Sequence, residues 1–205
     1  MNLLYRFYWL VLRVLTKMLL GLRKSGLENL PGTGGAVIAC NHLSAADPPI
    51  IGSTLPRGIY YFAKAELFGK WYSSFLIETL NTIPIKRGKF DREAYKAGIE
   101  VVRRGEWLLV FPEGTRSKDG RLKEGKTGAA KIAIEAGVPV IPACIVNSNQ
   151  IKETLFSKER VAVRFGHPIY PSDYSGIAPG KEKPRKLTSD IMEQIGLLIE
   201  SEKRV

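Results

Sequence analysis

The chain has 205 residues, enough for one domain with a sizeable core and too few to require a second. Its 31 Lys and Arg against 20 Asp and Glu give a net charge of +11, which favours an acidic lipid surface, an acidic carrier protein, a phosphorylated substrate or nucleic acid as partner. Two cysteines in apolar runs, Cys40 and Cys144, argue against a disulfide scaffold, and two histidines argue against a zinc site, so no metal is predicted.

The first 24 residues are rich in leucine and aromatic residues and contain no acid. Internal cations leave no apolar run near the roughly 18 residues of a membrane-spanning helix, and they also argue against a signal peptide. At about 100° per residue, four cations fall on one line and apolar residues cover the remaining helix surface. This pattern predicts an amphipathic helix or helix pair in the interface of an anionic membrane, the alternative being a helix packed on its own domain. The predicted membrane-binding residues are Arg6, Trp9, Arg13, Lys17 and Lys24.

Residues 25–205 alternate short apolar runs with helical patterns, and we take them as the second, larger unit after the anchoring segment 1–24. The predicted strands are 35–40, 59–63, 82–86, 107–111, 138–146 and 160–166. The predicted helices are 66–80, 91–104 capped by Asp91, 129–136 ended by Gly137, and a terminal helix from about Leu187 to Lys203 after a loop at 171–184. The alternation predicts a single α/β domain with a mostly parallel central sheet flanked by helices.

One polar loop directly follows the first buried strand and places Asp47 five residues after His42. A carboxylate at this spacing can hold one imidazole nitrogen and leave the other free to accept a proton from a hydroxyl. The alternative is structural, because Asp47 followed by Pro48 is typical of a helix start with Asp47 as N-cap. Ser44 suggests a Ser–His–Asp triad, but the three residues share one short loop and no Gly-x-Ser-x-Gly segment is present.

Two further polar loops follow predicted strands. One carries Lys86, Arg87 and Lys89, and the other carries Glu113 and Arg116. Ligands of parallel sheets gather where the strands end, so the three loops form one candidate site. Cations on two neighbouring loops can bind a phosphate, and the alternative is a solvated basic surface.

Four segments occur in a characteristic order: Asn41–Asp47 (NHLSAAD), Asn81–Arg87 (NTIPIKR), Glu113–Ser117 (EGTRS) and Val138–Pro142 (VPVIP). They resemble the four motifs of the glycerol-3-phosphate and 1-acylglycerol-3-phosphate acyltransferase family, the first of which is a His-x4-Asp motif. The resemblance spans residues 27 to 170.

The resemblance implies transfer of a fatty acyl group from acyl-carrier protein (acyl-ACP) or acyl-coenzyme A (acyl-CoA) to the sn-2 hydroxyl of lysophosphatidic acid, giving phosphatidic acid. It implies His42 as general base supported by Asp47, with no acyl-enzyme and no cofactor. The implied substrate-binding residues are Lys86, Arg87, Glu113, Gly114, Thr115 and Arg116. The implied acyl-donor side comprises Val138, Pro139, Ile141 and Pro142. Together with the amino-terminal helix, the resemblance implies a peripheral protein on the cytoplasmic face of the cell membrane.

Other functions stay open at this point. Another lysolipid acceptor would use the same residues, and so would a hydrolase in which His42 and Asp47 activate water. A non-enzymatic binder of anionic surfaces would explain the charge alone. Nucleic acid is not predicted as a partner, because aromatic residues are not interleaved with the basic loops and no nucleic-acid motif occurs.

Overall fold

The computed structural model describes residues 3–66, 81–86, 88, 90–117, 119–151 and 160–204. The described helices are α1 (Leu3–Leu20), α2 (Asp47–Thr54), α3 (Arg92–Arg103), α4 (Gly128–Ala136) and α5 (Glu182–Lys203). The described strands are β1 (Arg23–Ser25), β2 (Ala36–Cys40), β3 (Ile59–Lys64), β4 (Thr82–Ile85), β5 (Trp107–Val110), β6 (Val140–Val146) and β7 (Ala162–Phe165). Short 3₁₀ helices lie at Leu27–Asn29 and Pro171–Tyr174.

The described strands form one seven-stranded sheet in the order β1-β7-β6-β2-β5-β3-β4. Neighbours from β6 to β4 run parallel, and only the β6–β7 pair is antiparallel. The predicted α/β class with a mostly parallel sheet is therefore confirmed. We call the edge at which β2, β3, β4, β5 and β6 end the carboxyl edge.

The central strand β2 is apolar throughout because helices cover both faces of the sheet. All five of its residues have no exposed surface, and alternate side chains belong to different halves of the core. Residues of α1 and α2 pack on one face, and residues of α3, α4 and α5 pack on the other. The sheet thus separates two helical layers.

Local signals in the sequence placed two helix ends correctly. The Asp91 carboxylate accepts hydrogen bonds from the N–H groups of Glu93 and Ala94, which confirms it as the cap of α3. Gly137 ends α4 in the left-handed region at φ 69°, also as predicted.

The predicted start of the terminal helix is wrong, because α5 begins at Glu182 and not near Leu187. The sequence places Pro184 in the predicted loop at 171–184, whereas in the structure it lies in the first turn of the helix. The N–H groups of a first turn have no acceptor within the helix, so a proline there costs no hydrogen bond.

Helix α1 is one helix that packs on α2 and β3. The Trp9 indole N–H donates to the Gly52 carbonyl at 3.1 Å, and the Ile59 N–H donates to the Tyr5 hydroxyl at 3.2 Å. The opposite side of α1 is apolar and exposed, with Met18 exposed by 77%. No helix among the described residues is long and apolar enough to cross a bilayer.

Two sequence predictions can be compared with the structure only in part. From residue 67 onward, the predicted helix at 66–80 lies outside the described residues. The predicted division between residues 24 and 25 falls inside β1, which pairs with β7.

Candidate active site

The loops after β2 and β5 lie side by side because these strands are parallel neighbours in the middle of the sheet. His42 follows β2 by two residues, and Glu113 follows β5 by three. Both side chains are buried, with exposed fractions of 8% and 4%. A histidine and an acid removed from water at a sheet edge define the centre of the candidate site.

The first predicted pair is formed in the structure. His42 Nδ1 and Asp47 Oδ2 lie 2.7 Å apart, and the same oxygen accepts the N–H groups of Leu43 at 2.7 Å and Ser44 at 2.8 Å. Asp47 has no exposed surface. A carboxylate oxygen that accepts these hydrogen bonds favours the imidazole tautomer with the proton on Nδ1. His42 Nε2 is left as the acceptor, and no described residue bonds to it.

The alternative role of Asp47 as a helix cap is wrong. Helix α2 begins at Asp47 itself, its N-cap is Ala46, and no side chain caps it. The carboxylate points back into the preceding loop because the His42 ring and two loop amides compete for it.

Phe111 fixes the plane of the His42 ring from the neighbouring loop. The two rings are stacked with centroids 3.9 Å apart and an interplanar angle of 16°. An apolar ring on one face limits how the imidazole rotates and keeps water from that face. This contact is not predictable from the sequence, in which Phe111 is the last residue of a predicted buried strand.

Glu113 joins the two loops through their backbones. Its Oε1 accepts the His42 N–H at 2.8 Å, and its Oε2 accepts the Lys123 N–H at 3.1 Å. The Ser117 N–H donates to the His42 carbonyl at 2.7 Å, so both backbone groups of His42 are held. The substrate-binding role of Glu113 stays a prediction, and both of its carboxylate oxygens already accept backbone hydrogen bonds.

The loop carrying Glu113 turns sharply at Gly114, whose φ is 69°. A Cβ on Gly114 would lie 3.0 Å from the Lys126 ammonium, so a side chain there would be both strained and crowded. Thr115 and Arg116 follow with exposed side chains. The Arg116 guanidinium forms no ion pair within the described part of the chain and faces solvent.

Asn41 anchors the His42 loop to the adjacent strand β6. Its Nδ2 donates to the Ile145 carbonyl at 2.9 Å, and its Oδ1 accepts the Ile145 N–H at 2.8 Å. The side-chain amide therefore continues the pairing of β2 with β6 where the β2 backbone turns away. These two hydrogen bonds explain why a buried polar residue precedes His42. The sequence alone does not predict this role of Asn41.

The second cationic loop lies at the same carboxyl edge but farther out, after the edge strand β4. The Lys86 N–H donates to Asp91 Oδ2 at 2.9 Å, and its side chain is exposed. Arg87 and Lys89 lie outside the described residues. The role predicted for this loop in binding a phosphate stays a prediction.

The predicted acyl-donor segment is not brought to His42. Ile141 and Pro142 are buried within β6, with Ile141 paired to the middle of β2. Val138 and Pro139 precede β6 and so lie at the edge opposite the carboxyl edge. The apolar run reads as a substrate surface in sequence, but in the structure it builds the sheet.

No group of three or more His, Cys, Asp or Glu side chains suited to a metal ion occurs within the described ranges. The site instead offers an oriented imidazole with a free nitrogen, backed by a buried carboxylate, at the carboxyl edge of an α/β sheet. An imidazole held in this way can accept a proton from a substrate hydroxyl, which is the chemistry of a general-base enzyme.

Comparison with known proteins identifies the enzyme family. The sequence profile of the Acyltransferase family matches residues 21–146. A Bacillus subtilis (strain 168) protein named 1-acyl-sn-glycerol-3-phosphate acyltransferase is 34% identical over 195 residues, which cover 94% of this chain and 95% of that protein. The chloroplastic 1-acyl-sn-glycerol-3-phosphate acyltransferase BAT2 of Brassica napus is 34% identical over 154 residues, 72% of this chain and 44% of that protein.

A crystal structure supports the same conclusion. The 1-acyl-sn-glycerophosphate (LPA) acyltransferase PlsC of Thermotoga maritima superposes with a TM-score of 0.71 at 25% identity, over 95% of this chain and 80% of that one. The chain belongs to the acyltransferase family, and the resemblance found in its four motifs is confirmed. It is an enzyme of phospholipid synthesis by the same comparison.

Proposed function

We propose that the enzyme transfers a fatty acyl group from acyl-ACP or acyl-CoA to the sn-2 hydroxyl of 1-acylglycerol-3-phosphate, giving phosphatidic acid. The relatives' printed names supply the acceptor. The observation that carries the proposal is the 2.7 Å contact between His42 Nδ1 and Asp47 Oδ2, because it leaves Nε2 as a base for the acceptor hydroxyl.

The reaction proceeds by direct transfer. The acceptor hydroxyl gives its proton to His42 Nε2, and its oxygen attacks the thioester carbonyl carbon. The carbon–sulfur bond then breaks, and the departing thiolate takes the proton from the His42 imidazolium. Asp47 stabilises that imidazolium between the two proton transfers, because its charge lies against Nδ1 throughout.

Cations at the carboxyl edge hold the acceptor phosphate in this proposal. Arg116 follows the Glu113 bridge with an exposed guanidinium, and Lys86 lies exposed at the same edge. Arg87 completes the set on the strength of the family motif. A planar guanidinium donates two parallel hydrogen bonds to a phosphate, which suits a site that must orient a glycerophosphate.

The amino-terminal helix brings the enzyme to its acceptor. Lysophosphatidic acid resides in the bilayer, and α1 presents an exposed apolar side flanked by Arg6, Arg13 and Lys17. We propose peripheral binding to the anionic cytoplasmic face of the membrane, with Trp9 and Lys24 at its border.

The decisive experiment follows radiolabelled acyl groups from acyl-ACP and acyl-CoA into lipid, using vesicles that contain 1-acylglycerol-3-phosphate. We expect labelled phosphatidic acid with the wild type and none above background with His42→Ala, whose melting temperature should match the wild type. The second histidine supplies a matched control, since His167→Ala should retain activity.

Three results would contradict the proposal. Labelled phosphatidic acid from folded His42→Ala would remove His42 from the chemistry. Free fatty acid formed by the wild type without acceptor would identify a hydrolase, and label in another lipid would identify a different lysolipid acceptor.

A further inference from the structure

A cavity of about 240 Å³ opens between the beginnings of α4 and α5. Its described lining consists of Thr127, Lys131, Lys181 and Arg185. Three of these four side chains are cations, and none of the three forms a salt bridge with any residue in the described ranges. Unpaired cations around a cavity raise the local concentration of anions.

The backbone around the cavity adds to the positive potential. Thr127 is the N-cap of α4 and Lys181 is the N-cap of α5, and neither helix has a side-chain cap. Helix starts carry partial positive charge and unpaired N–H groups. The first turn of α4 contains no acid, and Glu182 is the single acid in the first turn of α5. The cavity therefore favours an anionic ligand.

The cavity is tied to the active site through one loop. Thr127 directly follows Lys126, whose N–H donates to the Pro112 carbonyl at 2.9 Å. Pro112 in turn precedes Glu113, which accepts the His42 N–H. A ligand anchored at the start of α4 consequently lies at the carboxyl edge, on the flank of the site.

The position of the cavity within the fold limits the kind of ligand. Helices α4 and α5 cover one face of the sheet, and α1 covers the other. With the exposed side of α1 on a bilayer, the cavity faces water on the far side of the sheet. Its anion is therefore carried by a water-soluble molecule, which argues against the phosphate of a membrane lipid.

We propose that this cavity binds the phosphate groups of the acyl thioester donor, an inference that rests on the proposed function. Both donor types join a phosphate ester to the thioester through a pantetheine arm, so phosphate and reacting carbon are held far apart in one molecule. Binding the phosphate between α4 and α5 places the donor on the water side, while the lipid acceptor reaches His42 from the membrane side. Arg185 provides the bidentate donor that phosphate prefers.

The test compares two double variants with the same chemistry and the same change in net charge. Lys131→Gln with Arg185→Gln removes two cations of the cavity, both exposed. Lys203→Gln with Arg104→Gln removes two exposed cations at the far ends of α5 and α3. Initial rates are measured with acyl-CoA and with acyl-ACP at saturating 1-acylglycerol-3-phosphate.

We expect the cavity variant to raise the donor KM roughly tenfold, the equivalent of one lost hydrogen bond to a charged group, with kcat within about twofold of the wild type. The far-end variant should leave both constants unchanged. A rise with acyl-CoA alone assigns the cavity to the phosphates that only coenzyme A carries, and a rise with both donors assigns it to the phosphopantetheine phosphate that they share. A rise with acyl-ACP alone would place acidic side chains of the carrier protein at the cavity and would overturn the phosphate proposal. An unchanged KM for both donors overturns the proposal.

A binding measurement separates this proposal from the proposed function. Calorimetry with free coenzyme A and with holo-carrier protein requires no turnover. If the wild type transfers no acyl group, the proposed function fails, and binding weakened only in the cavity variant still supports a phosphate site. Equal binding by all three proteins rejects that site.

Discussion

Asp47 is fully buried at the site, and its two carboxylate oxygens have different surroundings. Its Oδ2 accepts three hydrogen bonds, whereas its buried Oδ1 has no partner among the described residues. An asparagine can therefore keep its oxygen at the three donors and put its NH2 group where Oδ1 was. Asp47→Asn removes the charge with little change of shape, which isolates the electrostatic contribution of the carboxylate.

We expect Asp47→Asn to lower kcat by about 10²–10⁴-fold, because the His42 imidazolium loses its stabilising charge. The melting temperature should fall far less than for Asp47→Ala, which leaves the three donors unpaired. Asp173→Asn, an exposed residue, is the matched control. Near-normal kcat in Asp47→Asn would show that Asp47 only shapes the loop.

Glu113 gives the second prediction, because its two oxygens accept backbone N–H groups from two loops. Glu113→Gln keeps one acceptor and turns an NH2 group toward the other N–H. We expect a loss of about 1–3 kcal/mol in the free energy of unfolding, as for a buried donor left unpaired. Urea unfolding measures it, with exposed Glu124→Gln as control. Unchanged stability combined with a raised KM for the acceptor would instead make Glu113 a substrate ligand.

Among the secondary-structure elements, α1 differs from the others in what it leaves uncovered. Ten large apolar side chains are exposed in the described part of the chain, and seven of them lie on α1. Its buried side is held by Tyr5 and Thr16 through hydrogen bonds to β3 and α2. The interpretation as a helix packed on its own domain thus describes one side of α1, and the interfacial role of its open side stays a prediction.

We expect Leu10→Ser with Met18→Ser to weaken binding to anionic vesicles at least about tenfold, because each side chain contributes roughly 1.5–3 kcal/mol when buried in hydrocarbon. The fold should persist, since both residues point away from α2. Leu197→Ser with Tyr170→Ser, also exposed but outside α1, should bind normally in vesicle sedimentation. Equal loss in both pairs would argue against an interfacial role for α1.

At the scale of the whole molecule, the proposed membrane-facing side and the proposed donor cavity lie on opposite faces of the sheet. The exposed side of α1 lies on one face, the cationic cavity lies on the other, and His42 lies at the carboxyl edge between them. Such an arrangement brings together a lipid and a water-soluble thioester without moving either across the protein. It also predicts a fixed orientation on the membrane.

Fluorescent probes at single cysteines test that orientation. Cys40 and Cys144 are fully buried, and burial raises the pKa of Cys40 and brings that of Cys144 to about 12, so neither should react near neutral pH. On vesicles, a probe at Met18→Cys should be shielded from iodide, whereas one at Lys131→Cys should be quenched as in solution. Equal quenching at both positions would contradict a membrane-facing α1.

Features with a local cause were predictable from sequence alone. Buried strands, the Asp91 cap and the Gly137 stop depend on neighbouring residues, and so does the pairing of His42 with Asp47 five residues away. The class of the fold follows from the order of such elements. Each of these signals lies within a few residues of chain, where hydrogen-bond partners and φ preferences are fixed by the sequence itself.

Features that join distant parts of the chain were decided only by the tertiary structure. Glu113 meets the amide of His42 71 residues away, and Asn41 meets Ile145 104 residues away. Phe111 stacks on His42, and the segment 138–142 packs inside the sheet, because strand order places β5 and β6 on either side of β2. Strand order arises from the packing of all helices and strands at once. For this reason the sequence by itself determined the pairing of His42 with Asp47, whereas the fold determined the contacts around that pair and the cationic cavity beside it.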